Sequence, residues 1–343
     1  MTRPSAVPPP VTAVLDASSR WLPARLGDVE ERLREQTGDH GDLLGEDASM
    51  TLAAGGKRLR PLLVLLCAGE AGGEAAVRAA TAIELVHMAT LVHDDVIDAA
   101  PLRRGQPTVA AASGRDRATA TGDFLFSRAF ALLAGGADGR AIDLLSEASV
   151  ALARGELAQR QDAFDTGIAE ERYLERCRLK TAALFSCACL LGLSAIENAR
   201  PARSDAGPRP GDETDESVAL RSFGMEVGLA FQLLDDVLDV SGPPERTGKA
   251  RGTDLLDGTV TLPLIAAAEV DPQIRSADLR GLDAAAAEVL CDRIAATGAL
   301  DRVRSRALAM ITEAKTRLEA AAFAAEQRHL LGLVADGVVQ RYS

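Results

Sequence analysis

The chain has 343 residues, 47% of them hydrophobic and only 3% aromatic, with a formal net charge of −12. That length allows a large core and, as a soft prior, two domains. The acidity excludes nucleic acid and anionic membrane surfaces as general partners, so each local basic cluster has to be read as a site for a particular anion.

The start, MTRPSAVPPPVTAV, is proline-rich and lacks the long apolar stretch of a secretory signal, so residues 1–10 read as a flexible tail. Beyond it, alternating β-branched runs are missing, whereas Ala/Leu/Arg/Glu stretches carry helical periodicity from Leu26 onward. The fold class is all-α. Helices are expected at about 11–37, 42–54, 58–70, 74–98, 116–133, 139–164, 169–194, 214–240, 259–268, 284–296 and 300–341.

Taken in order, the first chemical signal is GGKRLRP, Gly55–Pro61, which sets Lys57, Arg58 and Arg60 after a glycine pair. A turn that exposes backbone N–H groups next to fixed positive charge suits a phosphate. The next helix, AAVRAATAIELVHMATLV, is apolar or small nearly all round, and it runs into LVHDDVIDAAPLRRG, where Pro101 must stop it. Asp94 and Asp98 are i and i+4 and share one face, with Asp95 beside them. Carboxylates at a helix C-terminus oppose the macrodipole by about 0.3–1 kcal/mol each, before their mutual repulsion. A solvated acidic end and a divalent-cation site are both open readings of one such triplet. Mg²⁺ would suit it, because that ion takes one or two carboxylates and fills its other positions with water and substrate phosphate. Arg103 and Arg104 follow as a second cationic cluster. His87 lies two turns before Asp94 on the same side, either as a core histidine or as a ligand-facing one; His93 reads as structural.

Further on, RLKTAALF places Lys180 and Thr181 in an otherwise apolar helix, where a buried lysine needs a partner. Thr181–Ile196, the longest uncharged run, is about 16 residues, short of the roughly 20 needed to span a bilayer, and a soluble protein is expected. Residues 197–215 are polar and Pro/Gly-rich and read as a surface loop. After it, FGMEVGLAFQLLDDVLDVSGPP repeats the earlier arrangement: an apolar helix, then Asp235, Asp236 and Asp239, then Gly242-Pro243-Pro244. Solvation does not explain two buried helices that end in the same triplet. If the two ends face each other, six carboxylates define a pocket for several Mg²⁺ ions bridged by a diphosphate, which argues against dividing the chain between them. GKARGTDLLDGTVTLP adds Lys249 on a glycine-rich loop. The late stretch SRALAMITEAKTRLEAAAFAA is a plain amphipathic helix with a structural role. Cys67, Cys177, Cys187, Cys189 and Cys291 show no C-x-x-C pair and no zinc spacing, and read as core residues in a reducing cytoplasm.

From Gly55 through Pro263, the series GGKRLRP, HMATLVHDDVID, LRRG, TGDFLF, LKTAALF, FQLLDDVLD, GKARGTDL and TLP strongly resembles the trans-prenyltransferases that make linear isoprenyl diphosphates. The resemblance implies a single all-helical domain over residues 1–343, a bundle of about ten or more helices around a deep central cavity. It also implies a homodimer, cytoplasmic, with transient membrane contact for product release and no nucleic acid. Carried across, Asp94, Asp95, Asp98, Asp235, Asp236 and Asp239 would hold about three Mg²⁺ ions on an allylic diphosphate. Arg103, Lys180, Thr181, Gln232 and Lys249 would contact that diphosphate, and Lys57, Arg60, His87 and Arg104 would bind isopentenyl diphosphate. One departure is plain: Gly258-Thr259 stands where many members have Gly-Lys, which removes one expected cation.

Product length follows from sterics within that resemblance. Short-chain members place an aromatic residue four or five positions before the first aspartate, where this chain has Ala89 and Thr90. Val86, Leu85 and Ala82 follow, with no aromatic from Ala71 to Val92. At about 4–5 Å per isoprene unit against 1.5 Å per helical residue, the expected product has about six to ten units, roughly 30–50 carbons. Phe124, Phe126, Phe130 and Phe164 are candidate plugs from elsewhere. The alternatives are a geranylgeranyl or farnesyl diphosphate synthase, a class I terpene cyclase, and a catalytic subunit that needs a second protein. The second DDxxD and GGKRLRP argue against the cyclase.

Overall fold

A computed structural model describes residues 9–18, 20–38, 43–136, 138–199, 214–242 and 251–340. Two compact units emerge. One comprises Met1–Ser149, Cys187–Arg221 and Ala321–Val334; the other comprises Val150–Ser186, Ser222–Ala320 and Ala335–Ser343. The Asp94 triplet belongs to the first and the Asp235 triplet to the second.

In the first unit, α1 (Pro9–Ala17) and α2 (Leu22–Gly38) replace the single helix expected at 11–37. At the end of α1 the Ser18 hydroxyl donates back to the Val14 carbonyl at 2.5 Å, and Pro23 lies in the first turn of α2, where a missing N–H costs nothing. Then come α3 (Leu43–Ala53), α4 (Leu59–Ala68), α5 (Gly73–Ile97), α6 (Val109–Ser113), α7 (Arg115–Ala134) and the first part of α8 (Gly139–Gln161). Helix α5 packs against α2, α4 and α7. Leu62, Leu63, Leu65 and Leu66 of α4, Ile83 and Leu85 of α5, and Leu125 of α7 are all but fully buried, each worth about 1.5–3 kcal/mol of transfer free energy. Between α5 and α6 the chain makes a two-stranded ribbon that helical periodicity did not foresee. β1 (Leu102–Arg103) pairs antiparallel with β2 (Gln106–Pro107). Positive φ at both central residues, 52° at Arg104 and 76° at Gly105, is what a type I′ hairpin turn requires.

The second unit holds the rest of α8, then α9 (Glu170–Cys177), a π-helical turn over Arg178–Ala182 and the first residues of α10 (Ala183–Ala199). The single helix expected at 169–194 is thus continuous, with a π-helical turn inside it. Most of α11 (Asp215–Ser241) lies here, with α12 (Thr253–Leu256), α13 (Leu262–Ala268), α14 (Pro272–Arg275), α15 (Ala284–Ala296) and α16 (Ala299–Ala320). Helix α11 lies close against the π turn because residues 224 and 228 are glycine. A Cβ there would come within 2.6 Å of the Ser186 Cα and 2.7 Å of the Ala182 Cα.

Some expected boundaries move. Helix α13 starts at Leu262, not 259, with Pro263 in its first turn. The helix expected at 300–341 breaks at 321–324 before α17 (Ala325–Gln340). The break presents Gln327, whose amide donates to the Leu66 and Cys67 carbonyls that end α4. The expected loop 197–215 is helical through Ala199 and from Asp215; residues 200–213 lie outside the described residues. Of the expected tail, residues 1–8 lie outside them and Pro9–Pro10 open α1. Two stretches, Glu70–Ile97 and Glu170–Glu197, are long and apolar enough to cross a membrane, with 72% of the 18-residue apolar window in each buried in the protein.

Candidate active site

Helix α5 carries the first triplet at its end. Asp94 is half-buried and Asp98, which caps the helix through its N–H to the Asp94 carbonyl at 2.8 Å, is exposed. Asp95 points the other way and is buried. The Arg103 Nε donates to both Asp95 carboxylate oxygens, at 2.9 and 3.1 Å, and its Nη2 stands 2.8 Å from Oδ1. The short hairpin is what brings Arg103 back onto the helix that precedes it.

Next to this pair is a pocket lined on its polar side by Arg58, Glu84, His87, Asp95, Arg103 and Arg104, and on its apolar side by Met50, Met88, Leu91 and Val109. Burial, and then the charges of Arg60, Arg104, Arg103 and Arg58, hold the His87 pKa well below the ordinary histidine value, so the ring is neutral at physiological pH. His87 is thus part of the pocket wall and not merely a core histidine. Arg60 is buried, which pulls its pKa down to about 10 against the attraction of Glu84. Of the four residues expected to bind isopentenyl diphosphate, His87 and Arg104 line the pocket; Lys57 and Arg60 are not in its wall among the described residues.

Arg58, which the sequence offers to a phosphate only as one of three cations in GGKRLRP, lines the pocket as well. Arg58 is fixed by Glu30 at 2.5 Å and Glu84 at 2.9 Å. Arg58 and Arg104 both hold left-handed backbone, φ 50° and 52°, a strain of order 1–3 kcal/mol each that clusters at functional sites. The glycine pair has a steric reason too: a Cβ on Gly56 would lie 2.9 Å from Arg58 Nη1 and 3.3 Å from Arg104 Nη1. In TGDFLF, Gly122 makes room for His93, whose ring would overlap any Cβ there and stacks on Phe126 at 6.0 Å between centroids. His93 is structural, as expected.

The second triplet repeats the division of labour. Asp235 is exposed and Asp239 half-buried, while Asp236 is buried. The Tyr173 hydroxyl donates to Asp236 Oδ2 at 2.5 Å and the Gln232 amide to Oδ1 at 2.8 Å; Gln232 in turn accepts from the Thr181 hydroxyl at 2.8 Å. Burial, the nearby Asp254 and then Asp235 push the Asp236 pKa up to about 7 despite those donors. Tyr173, whose phenol burial keeps protonated, carries no signal in its sequence context beyond lying seven residues before Lys180. Asp239 Oδ2 accepts from the Asp254 N–H at 3.3 Å and so also helps start α12. Lys180 meets the partner its setting demanded, Glu156. Burial pushes the Glu156 carboxyl up, but Lys180 and Arg160 outweigh it and hold it below the ordinary value.

Lys249 lies outside the described residues. Thr259, where a lysine was expected by resemblance, donates its N–H to the Asp254 carbonyl at 2.7 Å. Phe164 packs on Gly258 with Arg280 4.5 Å above its ring. Ala89 is wholly enclosed, as are Ala82, Leu85 and Val86, so that face of α5 borders no open channel.

These donors fit a hard divalent cation. The outer groups of each triplet are carboxylates at i and i+4 on one helix face. Among the described residues no three histidine, cysteine or carboxylate side chains converge to hold an ion alone.

Comparison with known proteins agrees. The family described as polyprenyl synthetase matches residues 42–290. The chain is 40% identical over 265 residues to heptaprenyl diphosphate synthase component 2 of Geobacillus stearothermophilus, covering 77% of this chain and 78% of that protein. It is 34% identical to octaprenyl diphosphate synthase of Escherichia coli (strain K12), over 82% of this chain and 85% of that one. The crystal structure of a polyprenyl synthase from Caulobacter crescentus CB15, complexed with calcium and isoprenyl diphosphate, superposes with a TM-score of 0.84 at 32% identity, over 99% of this chain and 100% of that chain. With the match extending across both aspartate triplets and the arginine-lined pocket, the chain belongs to the polyprenyl synthetase family.

Proposed function

We propose that this enzyme condenses isopentenyl diphosphate head-to-tail onto an allylic diphosphate, with Mg²⁺, to give an all-trans polyprenyl diphosphate. The observation that carries the reading is the pocket of the first unit. Its arginines and neutral His87 offer positive charge and hydrogen bonds to a diphosphate, and its methionines offer an apolar wall to a five-carbon tail. Asp95 and Arg103, which the same pocket includes, belong to the motif that would receive the allylic partner.

The outer aspartates of each triplet, Asp94 with Asp98 and Asp235 with Asp239, are the groups we assign to metal, while Asp95 and Asp236 are held by protein donors and orient the helix ends. When bound, Mg²⁺ would stabilise the diphosphate as it leaves. Arg103, Lys180 and Lys249 are the cations we assign to diphosphate, Thr181 and Gln232 fix the turn that carries Lys180, and Arg104 with His87 orients isopentenyl diphosphate. The diphosphate released is the base that takes the final proton.

A product of about six to ten isoprene units is supported by relatives named for heptaprenyl and octaprenyl products. A homodimer is the assembly proposed. A second reading, a catalytic subunit that needs another protein, is favoured by the relative named component 2. The test is diphosphate release by the purified chain alone. Release that needs Mg²⁺, isopentenyl diphosphate and farnesyl diphosphate together supports the proposal. Release from farnesyl diphosphate alone points to a cyclase, and no release points to a missing subunit.

A further inference from the structure

Among the described residues, Lys180 is the cation of the second unit that the proposed function directs at a diphosphate, and it already has an anionic partner in Glu156. The contact is built into the fold. Glu156 follows Gly155, where any Cβ would stand 2.5 Å from the Lys180 backbone nitrogen, so α8 can approach the π turn this closely only with glycine at that position. The π turn itself, Arg178–Ala182, is fixed next to Lys180 by the hydrogen bond from Thr181 to Gln232. Glu156 has a second partner on its own helix: the Arg160 Nε, one turn on, donates to Oε1 at 3.0 Å, while Lys180 faces Oε2. The glutamate therefore keeps a cation if Lys180 turns away, and moving Lys180 strands no buried charge.

We propose that Glu156 is a positioning residue that competes with diphosphate for Lys180, and so sets how tightly the enzyme holds both its allylic substrate and the inorganic diphosphate it releases. A lysine with no competing carboxylate would grip diphosphate harder and give up the product more slowly. Glu156 trades affinity for exchange. The inference rests on the assignment of Lys180 to the diphosphate.

The experiment measures binding of inorganic diphosphate with Mg²⁺ by calorimetry to the full-length chain, as wild type, Glu156→Gln and Lys180→Ala, each first checked by circular dichroism and thermal melting. Glutamine keeps the shape and a hydrogen bond while removing the charge. Glu156→Gln should bind diphosphate about two- to fivefold more tightly, the range a part-exposed ion pair is worth, and turnover should be inhibited by correspondingly less added diphosphate. Lys180→Ala should bind it more weakly. A folded Glu156→Gln with unchanged or weaker binding, alongside a weakened Lys180→Ala, overturns the inference and leaves the assignment of Lys180 standing. Unchanged binding in Lys180→Ala overturns that assignment and the inference with it.

Discussion

Tyr173→Phe deletes one oxygen from the middle of the second unit and leaves the ring. The hydroxyl donates to Asp236 Oδ2 at 2.5 Å, and both residues are almost fully buried, at 1% and 2% exposure. Phenylalanine fills the same space, so no cavity term enters; what is lost is a hydrogen bond to a carboxylate that no water can replace. Such bonds are worth about 1.5–3 kcal/mol, and the loss should fall near the middle of that range because Gln232 still holds Oδ1. Chemical denaturation followed by circular dichroism measures it. The cost should shrink by more than 1 kcal/mol, about the coupling expected of contacting residues, when Tyr173→Phe is made in an Asp236→Asn background. A cost below about 0.5 kcal/mol in both backgrounds, the level of an ordinary surface change, would refute the view that Tyr173 positions the aspartate.

Asp94→Ala and Asp235→Ala should each lower turnover by orders of magnitude with the circular dichroism spectrum intact, and excess chelator should abolish wild-type turnover. His87→Ala should chiefly raise KM for isopentenyl diphosphate; a defect in folding stability alone would return His87 to the core. His87 also carries a pH signature. Its folded pKa lies below the ordinary 6.5, so its contribution to stability is complete above that pH and is lost as pH falls toward the depressed value. His87→Gln should therefore flatten the denaturation midpoint between about pH 7 and 5, where wild type declines. Ala89→Phe puts a ring where the structure has no free space, which should cost about 1–3 kcal/mol and lower the denaturation midpoint accordingly.

Both triplets and the helices that end in them were legible because periodicity and a terminal proline leave strong marks. The division within each triplet was also there to be read. Consecutive helical residues lie about 100° apart, so when the first and third aspartates of DDxxD face outward the second must face the core. Asp95 and Asp236 accordingly meet protein donors. The hairpin at Arg104-Gly105 escaped notice because its strands are two residues long, and only a positive-φ pair betrays it. Arg58, Tyr173 and Glu156 were out of reach for a different reason. Each acts through a partner distant in sequence, Arg58 through Glu84, Tyr173 through Asp236 and Glu156 through Lys180, and pairing of that kind is fixed by packing. The break at 321–324 lies in an alanine-rich run with neither proline nor glycine, so nothing local marks it.

The most direct test of the account is the mass of the product formed by the purified enzyme from farnesyl diphosphate, excess isopentenyl diphosphate and Mg²⁺. A linear all-trans polyprenyl diphosphate of about six to ten isoprene units is the predicted result. A product that stops at twenty carbons or fewer would contradict the chain-length account, and a cyclic hydrocarbon would contradict the condensation itself.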